Sequence, residues 1–234
     1  LIPLLLGCAK DQNKDPQPTG SITISLNHKA NGETALFDTI KYQIPSGFDL
    51  SLTRWEYYLS GFSFLDENDN VVYSKKDAHY VNGRYADTWD IIFNGVPTGV
   101  IKKVKFSIGL IEEINISGGL PNTPENIGMA WPDVMGGGYH FMKLEGHFQK
   151  TPPSAGYAMH LGDNGYQVNL EFPLEFNVTT EGINIEADID ALQWFSNPYS
   201  FDFDIDGNYT MGIPELMQKL TDNGATVITN IEVK

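Results

Sequence analysis

Thiols are nearly absent from this chain: its 234 residues include a single cysteine, Cys8. No disulfide can staple the fold, and no thiolate metal site can form in a mature protein whose lone thiol is engaged elsewhere. Any metal would have to be taken by imidazole, thioether, carboxylate or water. Basic residues are scarce too, with 15 Lys and Arg against 30 Asp and Glu and a formal net charge of −15. Phosphate recognition needs clustered cations, so nucleic acid is excluded as a partner. The apolar run that opens the chain, LIPLLLG, is far too short to cross a bilayer. Catalytic signatures are missing as well: no G-x-S-x-G elbow, no P-loop and no H-E-x-x-H, so the chain does not read as an enzyme.

What is present begins at Cys8. An apolar run that ends in small residues before a lone cysteine matches a bacterial lipoprotein lipobox, with Cys8 as the acylated residue. No basic segment precedes the run, which reads as a chain that starts inside its signal peptide (residues 1–8). Residues 9–20, AKDQNKDPQPTG, are polar and punctuated by Pro and Gly, as expected of a flexible tether behind a lipid anchor. The expectation is a membrane-anchored envelope protein at the outer membrane, cell surface or periplasm of a Gram-negative bacterium.

From residue 21 to 234 the pattern is that of one all-β domain. SITISLNH (21–28) alternates with period two, and further strand-like runs fall at 37–44, 50–66, 71–74, 87–97, 101–110, 139–148, 156–162, 166–179 and 183–195. Near the end, Ile213 to Asp222 carries Leu216, Met217 and Leu220 at helical spacing, with Pro214 at the start and Gly224 beyond the end. A strand over 225–233 closes the chain. Many short strands between Gly/Pro turns predict an antiparallel β-sandwich with one short C-terminal helix.

The chemistry concentrates between Gly128 and Gly162, which holds Trp131 and three of the five histidines, His140, His147 and His160. Imidazole is the commonest protein ligand for borderline metals. His160 lies between Met159 and Leu161 in an otherwise apolar strand, where a neutral imidazole needs a hydrogen-bond partner or a metal. His140 and His147 are oddly spaced, so on an uninterrupted strand they face opposite ways, with Met142 on the side of His140. At most one of the two could then be a reserve ligand. Asp202, Asp204 and Asp206, followed by Gly207, match the first half of a calcium loop, but Ile213 stands where its bidentate Glu belongs. The run reads mainly as an acidic turn, with Ca²⁺ as the minor alternative.

Several tracts occur together and in order: SLNHKANGETALFDTIKYQIPSG, LSLTRWEYYLSGFSFLDENDNVV, AHYV, VPTGVIKKVKFSIGL, GMAWPDVMGGGYHFMKLEG and YAMHLG. In this combination the chain resembles the MbnP-like family of periplasmic or surface copper-binding proteins associated with methanobactin operons. The resemblance implies a β-sandwich in which histidines from separate strands bind one copper ion, beside a tryptophan that family members oxidise to kynurenine. Position by position it points to His28, His79 and His160 as ligands and to Trp131 as the neighbouring aromatic. It also implies a di-haem peroxidase-like partner. Family members carry a second Trp shortly after the first, which this chain replaces with Pro132 to Gly138. The resulting expectation is copper capture or storage without catalysis. Its rival is a glycan- or protein-binding surface module built on Trp55, Trp89, Trp131, Trp194 and eleven tyrosines.

Overall fold

The structure is a computed structural model that describes residues 17–234; Cys8, the lipobox and tether residues 9–16 lie outside the described residues. Period-two alternation passes directly into strand. In β1 (Thr19–Ala30) every second residue from Ile22 onward is buried: Ile22, Ile24, Leu26, His28 and Ala30. The chain continues through β2 (Glu33–Thr34), β3 (Tyr42–Gln43), β4 (Asp49–Leu50), β5 (Arg54–Leu65), β6 (Val71–Lys75) and β7 (His79–Asn82). Then come β8 (Asp90–Pro97), β9 (Gly99–Ile108), β10 (His140–Gln149), β11 (Ala155–Gly162), β12 (Val168–Val178), β13 (Ile183–Asp190) and β14 (Ile228–Val233).

These strands form a five-stranded and a nine-stranded sheet. The smaller runs β14-β13-β1-β2, with β8 also paired to β1. The larger runs β12-β9-β5-β10-β4-β3, with β11 on β10 and both β6 and β7 on β5. All pairings are antiparallel except β1 with β13, which run parallel from Ile22↔Ile183 to Lys29↔Asp190. The sheets meet through aromatic rings: Phe93 of β8 packs edge-on to Phe62 and Phe64 of β5, at centroid distances of 4.9 and 5.0 Å. Each ring buried there contributes roughly 2–3 kcal/mol of transfer free energy.

The expected C-terminal helix is α3 (Pro214–Gly224), with Pro214 in its first turn and Met217 and Leu220 buried. Two one-turn helices precede it in the chain, α1 (Pro124–Gly128) and α2 (Phe203–Asp206). Elsewhere strands stop earlier than periodicity suggests. Over 37–44 only Tyr42–Gln43 is strand, because Asp38 takes a φ of 62° and breaks the extended run. The 183–195 run ends as strand at Asp190, whose carboxylate accepts from the Leu192 amide and opens a 3-10 turn.

Candidate functional site

The residues from Gly109 to Tyr139 leave the sheet as a long strap, with α1 inside it, lying over the outer face of β5 and β10. The inner face of those strands carries Trp55, Tyr57, Met142 and Leu144, all buried. Alternation then puts Arg54, Glu56, Lys143 and Glu145 on the outer face, and the cross-strand register sets Lys143 opposite both Glu56 and His160.

A bulge decides where the histidines go. His140 pairs with Gly162 and Met142 with Leu161, so Phe141 is an extra residue in β10. The odd-spacing expectation is thereby reversed. His140 turns onto the outer face with Lys143, Glu145 and His147, and Met142 turns inward. The rings of His140 and His160 stand 5.1 Å apart and nearly perpendicular. Trp131 meets His140 edge-on at 4.7 Å. The Trp131 indole N–H donates to the Met135 carbonyl at 3.0 Å, and its ring lies over Gly162, where any Cβ would collide with it.

Each imidazole of this pair has one nitrogen tied. His140 Nδ1 donates to the Met129 carbonyl at 3.1 Å, and since a carbonyl only accepts, the proton sits on Nδ1. His160 Nε2 donates to Glu145 Oε1 at 2.9 Å. That hydrogen bond holds the Glu145 carboxyl below its ordinary range, with Arg54 adding to the effect, so the group is ionised and acts as an acceptor. Burial pushes the His140 pKa down to about 3, helped by the Lys143 charge. With its proton on Nδ1, His140 carries a lone pair on Nε2, and the Glu145 contact through Nε2 leaves Nδ1 as the second nitrogen of His160.

His28 and His79 lie elsewhere. His28 is only 3% exposed, on the inner row of β1 between the sheets. It is ringed by Trp55, Tyr57 and Trp89, at centroid distances of 4.9, 5.9 and 4.7 Å. Its Nε2 meets the Tyr57 hydroxyl at 2.9 Å, while buried Nδ1 has no partner among the described residues. Burial alone pushes its pKa down to about 3. His79 pairs across from Leu59 on the same inner side, and its Nε2 donates to the Thr88 carbonyl at 2.9 Å. The structure thus brings His160, Trp131 and His140 together, and leaves His28 and His79 on the other side of the large sheet. Among the described residues no group of three or more His, Cys, Asp and Glu side chains is placed to hold a metal ion. The acidic run is engaged too: Asp202 caps α2, and Lys150 and Lys219 bind Asp204 and Asp206 at 2.7 Å each.

The strap also leaves a cleft of about 940 Å³ lined by Glu56, Tyr58, Tyr80, Asn82 and Tyr85, among others. This volume lies in the range of small-ligand pockets.

The MbnP family model matches residues 19–213. The chain belongs to the MbnP family. Among solved structures it is similar to MbnP from Methylosinus trichosporium, at 16% identity and a TM-score of 0.49, covering 76% of this chain and 77% of that one. None of the curated proteins compared matches the chain. The MbnP span contains all five histidines and Trp131, whereas α3 and β14 both follow it. Within this MbnP domain His140 is one of the two histidines, with His147, of which the sequence allows at most one as a reserve ligand. Its burial beneath the strap, which no periodicity conveys, is what marks it out.

Proposed function

We propose that this MbnP-family chain holds a single copper ion between His140 and His160, with Trp131 against the site, for copper capture or storage rather than turnover. The supporting observation is the pair of tied nitrogens. A metal-bound histidine usually donates its other ring N–H to a carboxylate or carbonyl, which fixes the tautomer and aims the free lone pair. Glu145 does this for His160 and the Met129 carbonyl does it for His140. The 5.1 Å between ring centres leaves room for one ion bonded to both at about 2 Å. Two imidazoles suit copper, and an external ligand would complete the coordination. On this reading an acyl chain on Cys8 keeps the store at the envelope, and Trp131 is the ring that a peroxidase-like partner would modify.

The test is copper titration of the 17–234 domain by competition with a chromogenic chelator. One equivalent is expected in the parent protein. His140→Ala and His160→Ala should each weaken binding at least tenfold, while His28→Ala and His79→Ala keep the stoichiometry. Loss of copper in His28→Ala, His79→Ala and His160→Ala, with His140→Ala still binding, would restore the ligand set implied by family resemblance. No stoichiometric copper in an intact fold would turn attention to the rival reading, in which the tyrosine-lined cleft takes a glycan or a protein segment.

A further inference from the structure

Lys143 is the unexplained residue of this face. Lysine is almost never buried without a partner, yet Lys143 is 7% exposed. It lies on β10, directly between His160 on β11 and Glu56 on β5. Its ammonium donates to the Gly128 carbonyl at the end of α1, a neutral acceptor, and the charges around it are Arg54, which opposes it, and Glu56 and Glu145, which offset it. The carboxylates nearby are already shared. Glu56 and Glu145 both pair with Arg54, at 3.0 and 3.3 Å, and Glu145 also holds His160. The charged side chains of this network are Lys143 and Arg54 against Glu56 and Glu145, a sum of zero before any ion enters.

An ion seated between His140 and His160 therefore finds no net negative charge and an ammonium close by. Coulomb repulsion grows with the charge of the ion, and the cost of removing it from water grows with the square of that charge. We propose that Lys143 is the specificity-determining residue of the site, a fixed positive charge that admits a soft monovalent cation and disfavours divalent ones. This rests on the two-imidazole reading above.

The experiment compares Ag⁺, a redox-inert monovalent probe, with Zn²⁺ by calorimetry on the parent domain, Lys143→Met and Lys143→Arg. Met keeps most of the stem and removes the charge. The parent should bind one Ag⁺ and discriminate against Zn²⁺. In K143M both affinities should rise, the Zn²⁺ gain being about the square of the Ag⁺ gain, because repulsion on a doubly charged ion is twice as large. K143R should keep the parent's preference. A merely structural role would instead weaken both ions together. An unchanged Zn²⁺/Ag⁺ ratio in K143M overturns the charge filter while leaving the histidine site standing; no Ag⁺ binding in the parent overturns both. Should K143M fail to fold, Glu56→Gln tests the same idea in the opposite direction: it makes the site more positive and should lower the Zn²⁺/Ag⁺ ratio, and a ratio that holds or rises overturns the filter.

Discussion

At the scale of single residues, two histidines show how differently the same side chain can be buried. His140 is tied by a carbonyl through Nδ1, whereas His28 sits among Trp55, Tyr57 and Trp89 with a nitrogen that no described residue satisfies. A buried orphan of this kind costs stability, and a charged one costs far more. In the unfolded chain His28 takes up a proton below its ordinary value near 6.5, while in the fold it resists protonation down to about 3. Its contribution is therefore fully present above about pH 6.5 and is lost as pH falls toward 3. By pH 4 the loss is on the order of 3 kcal/mol. Urea unfolding at pH 7 and pH 4 checks this: His28→Phe should shrink the difference between the two pH values by about that amount.

At the scale of elements, the β10–β11 hairpin carries the site, and its one irregularity matters most. Without the extra residue at Phe141, His140 would face the core and the pair with His160 would not exist. Gly162, opposite His140, is the other requirement, because the Trp131 ring occupies the space of its Cβ. Gly162→Ala should displace Trp131 from His140, cost about 1–3 kcal/mol through overpacking, and shift the tryptophan emission; an unchanged spectrum and melting temperature would count against this packing. These elements differ in how far they can be read from sequence. The alternation of SITISLNH and the Pro214-to-Gly224 signals of α3 are local, so both were legible. The four-residue β7 and the single-turn α1 were not, since neither is long enough to establish a period.

At the scale of the whole molecule, charge is the dominant global property. A net charge of −15 on 234 residues is self-repelling, and the repulsion is screened over about 10 Å at 0.1 M salt. Raising sodium chloride from 10 to 150 mM should raise the melting temperature by a few degrees; a fall on screening would mean that attractive pairs such as Lys103 with Glu171 outweigh the repulsion. The sequence by itself determined the β class, the helix near the C-terminal end and the family, because each depends on composition, local period or ordered tracts of residues. Which histidines meet was decided only by the tertiary structure. A bulge register, the side of a sheet that a strap covers and the pairing of β10 with both β5 and β11 are long-range matters of packing. His28, His79 and His160 look alike along the chain, and only the fold sends His28 and His79 to the inner side of the large sheet and brings His160 to His140.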